Sequence, residues 1–290
     1  VVNPTSQPII RQHQQSKFCL TFSSGTAAFY ASLLSLNLGN TSKVLISSLT
    51  FPTVIQILKK YDYEIYYFDL DKNFEIISDN IEKYNYDLVI ITHPFGFYID
   101  CKKLKKFLSS NTKVIFDSSH SQGINIDGKS HIKLADISFM SLQGAKAISG
   151  GEGGIIFTDN ESIYLDMINN HHPGHKKNRN SNIAGGIGDL KLRMHPIAAL
   201  LAKNDLKSFD RRNIKLTEKI KIIYKHLDHL EIEHPFNKDS NIGGFHFGIP
   251  FYFKKSLSSK LIKSYNWHND LSSIGINSFS KKNENNLISN

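Results

Sequence analysis

The segment KVIFDSSHSQG, residues 113–123, runs through three large apolar side chains, ends on Asp117 and continues into small polar residues. An apolar, β-branched run that stops on a carboxylate reads as a buried strand that delivers an acid to one edge of a sheet. The same pattern recurs on both sides of it, in VLIS (44–47), EIYYFDL (64–70), DLVIIT (87–92), DISFMSL (136–142) and GGIIFTD (153–159). Between these runs, segments such as 53–60 and 101–109 have the length and apolar spacing of crossover helices. Strands alternating with helices predict an α/β domain around a mostly parallel central sheet flanked by helices. In such sheets ligands gather beyond the carboxyl ends of the strands, which is where Asp117 falls.

Past about residue 160 the pattern shifts to longer helical stretches, roughly 160–170 and 196–226, separated by the polar segment HHPGHKKNRNSNIAGGIGD. A strand-like run, GGFHFGIPFYF (243–253), follows, and the tail SKKNENNLISN is polar and expected to fray. The expected organisation is a large ligand-binding domain over residues 1–160, then linking helices and a smaller α+β part over residues 161–290. Neither an internal repeat nor a sustained heptad is visible.

With 290 residues and 40% hydrophobic content the chain can bury a substantial core. No run approaches the eighteen or so consecutive apolar residues of a membrane span, and VVNPTSQPIIRQHQQ lacks the charged start and apolar middle of a signal peptide, so a cytoplasmic protein is expected. The two cysteines, Cys19 and Cys101, have no metal-ligand spacing, which argues against a disulfide framework or structural zinc. The net charge of +9 raises nucleic acid, a membrane surface or an anionic small molecule as partners. The basic residues are scattered, however. Lys102, Lys103, Lys105 and Lys106 surround Leu104, Phe107 and Leu108, the pattern of a surface helix, and no nucleic-acid motif accompanies them.

Three segments carry chemistry, and each has an ordinary alternative. Phe22-Ser23-Ser24-Gly25-Thr26-Ala27-Ala28 leads into the apolar helix AAFYASLLSL. Small residues there let the backbone approach a phosphate at the positive end of a helix, or they simply cap a buried helix. The Asp117 carboxylate needs a cationic or hydrogen-bonding partner if it is buried, and either a protonated pyridine nitrogen or a capped loop would provide one. Lys146 lies in Ser141-Leu142-Gln143-Gly144-Ala145-Lys146, ahead of the glycine-rich Ser149-Gly150-Gly151-Glu152-Gly153-Gly154. Among small uncharged residues its amine is either desolvated and nucleophilic or an ordinary solvated lysine.

The order of these elements is more specific than any one of them. A Ser-Gly-Thr turn, the segment Ser48-Leu49-Thr50-Phe51, a strand-end Asp, and a Lys ahead of Gly-Glu-Gly-Gly resemble the fold-type-I pyridoxal-phosphate enzymes. More narrowly, they resemble the DegT/DnrJ/EryC1/StrS family of sugar aminotransferases. The resemblance runs from about Phe18 to about Phe253, with further matches at His93-Pro94-Phe95-Gly96 and Leu192-Arg193-Met194-His195-Pro196.

The resemblance implies that Lys146 forms a Schiff base with pyridoxal 5'-phosphate and then shuttles the substrate proton, while Asp117 keeps the pyridine nitrogen protonated. It implies that Phe51 stacks on the ring, that Gly25, Thr26, Ala27 and Ser141 hold the phosphate, and that His120 stands near the ring hydroxyl, where many relatives carry Gln. The implied reaction moves an amino group from glutamate or glutamine to a keto-sugar, nucleotide-linked, or to a cyclitol. The implied assembly is a homodimer with shared active sites, without a nucleic-acid or membrane partner.

Two departures stand out. Lys191 occupies the position where many relatives carry an Asn that reaches the phosphate of the neighbouring subunit. The sequence also starts at Val1 and ends before the segments that usually extend both ends of such proteins, so a shortened relative is expected. The alternatives are therefore a dehydratase or lyase of the same family, and a non-catalytic homologue that dimerises or regulates. The sugar 3-dehydratases replace the Schiff-base lysine with histidine, and Lys146 argues against that branch. His171, His172 and His175 form an HHxxH cluster, but no carboxylate or cysteine completes a metal site. Contact with substrate or with the partner subunit is the expectation for that loop, Glu152 is assigned to ordering the glycine turn, and no metal is expected.

Overall fold

The structure is a computed structural model that describes residues 13–79, 81–171, 192–237, 240–244 and 248–252. Its first strand, β1 (Phe18–Phe22), is followed by α1 (Gly25–Leu34), β2 (Lys43–Ser47), α2 (Pro52–Lys60), β3 (Glu64–Leu70) and the two-residue β4 (Ile76–Ile77). Next come β5 (Leu88–Thr92), β6 (Lys113–Asp117), the small hairpin β7 (Asn125–Ile126) and β8 (Lys129–Ser130), then β9 (Ile137–Ser141) and β10 (Gly154–Thr158). Two helices follow, α3 (Glu161–His171) and the 34-residue α4 (Pro196–His229).

Eight strands form one sheet in the order β1-β10-β9-β6-β5-β2-β3-β4. The five central strands, β9, β6, β5, β2 and β3, are all parallel. Antiparallel β10 and β1 extend one side, and β4 caps the other. The six runs read from sequence are all strands of this sheet. The reading did not single out Phe18–Phe22, which lies against the Ser-Gly-Thr segment and carries too few residues for periodicity to reveal.

Alternate residues of each strand feed opposite faces. Val44, Ile46, Leu88, Ile90 and Ile115 pack with Phe29, Leu33, Val54 and Leu58 of α1 and α2. Leu45, Val89, Ile91 and Phe116 point the other way, toward Ile220 and Tyr224 of α4. The first half of that helix, through Ala199, Ala202, Leu206 and Phe209, covers Met140, Ile155 and Phe157. Both faces are buried, which explains why the central strands read as continuous apolar runs.

Two expected elements differ. The segment expected as a helix over 101–109 is a 3-10 helix, Cys101–Phe107, although Leu104 and Phe107 are buried and the four lysines exposed, as their spacing predicts. This piece must return the chain from the end of β5 to the start of β6. A 3-10 helix rises about 2.0 Å per residue against about 1.5 Å in an α-helix, so the tighter coil covers that distance with fewer residues. The run expected as a strand over 243–253 is not one among its described residues, 243–244 and 248–252. Gly244 at φ +67 and Gly248 at φ +104 turn the backbone away from extended geometry. Only Ile242, just before it, makes a single bridge, to Phe97.

Candidate active site

The carboxyl ends of the parallel strands form one edge, and the sheet register brings the chemical segments to it. Thr92 stands beside Asp117, Asp117 beside Phe139, and Ser141 beside Gly154, which pairs in turn with Phe22. The turn after β1 therefore faces the end of β9. Ser24 caps α1 by accepting from the Ala27 amide at 3.0 Å. Gly25 comes so close to Ser141 that a Cβ on it would lie 2.8 Å from the serine Cβ, and a Cβ on Gly154 would lie 2.1 Å from the Ser24 carbonyl oxygen. Glycine fits both positions because the Ser141 Cβ and Cα crowd the first and the Ser24 backbone fills the space beside the second. The result is a narrow cradle at a helix N-terminus, with Gly25 and Ala27 buried, Thr26 exposed and Ser141 half-buried.

Asp117 is 6% exposed, and one carboxylate oxygen accepts from the Ser119 amide at 3.0 Å. Burial pushes its pKa up; the Ser119 hydroxyl and amide and the charge of Lys146 pull it back. Burial also lowers the Lys146 amine to about 8, against the opposing pull of Asp117. Each group registers the other's charge, and the register of β6 against β9 puts both at the same sheet edge, although 29 positions separate them in sequence (146 minus 117). An amine at about 8 has a substantial neutral fraction near neutral pH, the form that attacks a carbonyl.

His120 is half-buried, with its ring 6.1 Å from that of Phe95. Phe51 follows β2 at the same edge and is 59% exposed, an unusual position for a phenylalanine and one suited to meeting a planar ligand. Next to it, the Thr50 and Thr92 hydroxyls bond at 2.7 Å and tie the ends of β2 and β5 together.

The glycine-rich segment packs under residues from the Leu192–Pro196 motif. A Cβ on Gly153 would lie 2.5 Å from the Met194 methyl carbon, and Ser23 donates its amide to the Leu192 carbonyl at 2.7 Å. Glu152 is exposed. The Lys146 loop is also held from α4: Asp205 accepts from the Ser149 amide at 3.0 Å, and Arg212 pairs with Asp205 at 2.8 Å and reaches the Ala147 carbonyl at 3.3 Å.

Behind Asp117 lies a buried polar layer that the sequence reading did not identify. His131 Nδ1 donates to the Ile124 carbonyl at 3.1 Å, which leaves Nε2 to accept from the Ser121 and Ser118 hydroxyls at 3.0 and 2.9 Å. Burial drives the His131 pKa down to about 4. His93 Nδ1 accepts from the Ile99 amide at 3.0 Å, so its proton sits on Nε2, which is buried without a hydrogen-bond partner among the described residues. Burial and the neighbouring His131 hold its pKa well below the usual imidazole value. Two neutral rings thus support the floor of the site. Their spacing in sequence carries no signal of this, because β5, β6 and the loop after β8 meet only in the fold.

Lys191, His172 and His175 lie outside the described residues, and of His171 only its place at the end of α3 is described. Among the described residues no group of three or more His, Cys, Asp or Glu could hold a metal ion, and no helix is long and apolar enough to cross a membrane.

Comparison with known proteins gives a consistent picture. The model of the DegT/DnrJ/EryC1/StrS aminotransferase family matches residues 9–269. An uncharacterized protein of Methanocaldococcus jannaschii is 27% identical over 164 residues, 54% of this chain and 42% of its own length. The GDP-perosamine synthase of Escherichia coli O157:H7 is 26% identical over 153 residues, 51% of this chain and 42% of the synthase. The matched stretches thus span less than half the length of these curated relatives. Among solved structures, the E. coli GDP-4-keto-6-deoxy-D-mannose-3-dehydratase with bound hydrated pyridoxal phosphate superposes with a TM-score of 0.75 at 18% identity, over 93% of this chain and 75% of that one. At that identity the likeness is one of fold, which is that of the fold-type-I pyridoxal-phosphate enzymes.

Proposed function

The chain belongs to the DegT/DnrJ/EryC1/StrS aminotransferase family, and on that premise we propose that it is a pyridoxal-phosphate-dependent aminotransferase. Its amino donor is glutamate or glutamine, and its acceptor is a keto-sugar, nucleotide-linked, or a cyclitol. One observation carries this reading: a lysine amine lowered to about 8 by burial stands within electrostatic reach of a buried carboxylate at one sheet edge, beside a glycine cradle at a helix N-terminus. The bound cofactor supplies an aldehyde for an amine to condense with and a ring that accepts electrons.

The protein's residues supply the rest. The cradle of Gly25, Thr26, Ala27 and Ser141, at the positive end of α1, is suited to a phosphate. Asp117, costly to bury as an anion, is stabilised by a cation and would hold a proton on the ring nitrogen. Phe51 offers its exposed face to the ring, and His120 a donor to the ring hydroxyl. Lys146, with its pKa near ambient pH, is suited to take up and return the proton that moves between substrate and cofactor carbons. The net charge of +9 favours anionic donors and diphosphate-bearing acceptors. A homodimer, with Lys191 reaching the phosphate bound by the partner subunit, belongs to the same proposal.

A dehydratase of this fold stands among the solved neighbours, so the test must separate amino transfer from elimination. The protein is mixed with pyridoxal phosphate, its visible absorption recorded, and nitrogen-labelled glutamate and a nucleotide-linked keto-sugar added. Visible absorption that depends on Lys146, followed by transfer of the label to the sugar, is the expected result. A sugar product without label points to a lyase. No cofactor absorption at all sinks the enzyme reading in favour of a dimerising or regulatory subunit.

A further inference from the structure

Asp117 ends β6 and Lys146 lies in the loop after β9, and the side chain of Gln122 joins the segment after β6 to that loop at two points. Gln122, which is 0% exposed, lies five positions beyond Asp117 (122 minus 117). Its Nε2 donates to the Ser141 carbonyl at 2.8 Å, and its Oε1 accepts from the Ile148 amide at 2.6 Å. Those partners flank Lys146, Ser141 at the end of β9 and Ile148 two positions beyond the lysine. Residues 143–145 are exposed and Lys146 is half-buried, so the glutamine ties the loop down on both sides of this exposed turn.

Gln122 is itself held on both sides. A Cβ on Gly244 would lie 2.5 Å from its backbone nitrogen, and a Cβ on Gly123 would lie 2.6 Å from the Phe209 ring of α4. The Ser119 hydroxyl accepts from the Ser141 amide at 3.0 Å, a second tie between the same loops. Burying a primary amide costs free energy unless both its ends are paired, and here both are paired with backbone groups that would otherwise be orphaned.

We propose that Gln122 is a positioning residue that sets where the Lys146 amine stands relative to Asp117, by clamping the chain on either side of the lysine to the segment that follows the carboxylate. The inference rests on the reading of Lys146 as the cofactor-binding amine. Without the clamp, the Ser141 carbonyl and the Ile148 amide recover hydrogen bonds by moving the loop toward water. The amine follows, is better solvated, and holds its proton more tightly.

The test uses the protein without cofactor. Trace acetic anhydride labelling, read by mass spectrometry across pH against an exposed lysine such as Lys83, reports the titration of Lys146. Wild type is expected to be half-reactive near pH 8, the value to which burial lowers the amine. Gln122→Leu is expected to move that midpoint up by about one unit, lowering labelling at pH 8 about fivefold with the protein still folded by circular dichroism. A folded Gln122→Leu protein with an unchanged Lys146 profile overturns the proposal.

Should the variant not fold, hydrogen exchange on wild type decides. The Ile148 amide is expected to exchange at least about 100-fold more slowly than the amides of residues 143–145, and equal rates overturn the clamp. Adding pyridoxal phosphate to wild type keeps the two ideas apart. Absence of visible absorption defeats the cofactor reading, whereas the labelling and exchange results decide on Gln122 regardless.

Discussion

The two edges of the same sheet treat charge in opposite ways. At the carboxyl edge, Asp117 is buried and Lys146 half-buried, both are shifted by desolvation, and each is within reach of the other's field. At the amino edge, a cavity of about 600 Å³ is lined by Lys43, Lys83 and Lys106 together with Tyr84 and Asp87. There Lys43, itself half-buried, lies 4.3 Å from the ring of the exposed Tyr84 and 3.9 Å from the exposed Glu64. Under the proposed function the chemistry lies at the other edge, not in this hollow with three lysines. Water screens those lysines, whereas the few charges at the opposite edge stand where each solvation change alters reactivity.

The contrast can be broken most severely at Lys146. Lys146→Ala should abolish the visible absorption of the cofactor-loaded protein and its turnover, and a variant that retains both would end the assignment. Asp117→Ala is expected to lower turnover by roughly 10²–10⁴-fold while the cofactor still binds, measured under saturating donor and acceptor. Substitution of the amino-edge Lys83 should leave that rate unchanged.

Glycines sharpen the comparison through stability. A Cβ at Gly154 meets the Ser24 carbonyl at 2.1 Å, whereas a Cβ at Gly39, in the loop leading to the amino edge, meets nothing within 4 Å. Gly154→Ala is expected to cost roughly 3 kcal/mol in denaturant unfolding, because neither backbone segment can give way.

Acid should act through the floor of the site. His93 and His131 are held neutral in the fold, and His131 titrates at about 4 against an unfolded imidazole near 6.5. Between those values the unfolded chain binds more protons, so stability falls as pH drops. The expected loss from His131 alone is about 2 kcal/mol between pH 7.5 and 5. Asp117, raised by burial, works in the opposite sense, so the pH slope of wild type should be compared with that of His131→Phe, in which the imidazole part vanishes. Equal slopes would show that His131 is not held neutral. The smallest effect belongs to Gly39→Ala, expected within about 0.5 kcal/mol of wild type in the same unfolding assay.

Most of the sheet was legible in the sequence because its central strands are buried on both faces and so stay apolar without interruption. Phe18–Phe22 was missed because five residues beside a striking motif offer no period. The 3-10 helix at Cys101–Phe107 was misread as an α-helix because its buried Leu104 and Phe107 fit either coil. Of the site, the sequence placed Asp117 at a strand end, Lys146 between a strand and the glycine-rich segment, and the Ser-Gly-Thr turn before a helix. It did not indicate Gln122, His131, Asp205 or Arg212, whose residue types usually face water and whose partners lie far along the chain.

By itself the sequence determined the alternation of strands and helices, the edge at which ligands gather, and the order of motifs that marks the family, since each of these depends on neighbours within a few residues. The tertiary structure decided that an amine and a carboxylate 29 positions apart come within electrostatic reach at one sheet edge and lose part of the solvent that would keep their pKa values ordinary. Desolvation is a property of everything packed around a group, and no local stretch of chain encodes it.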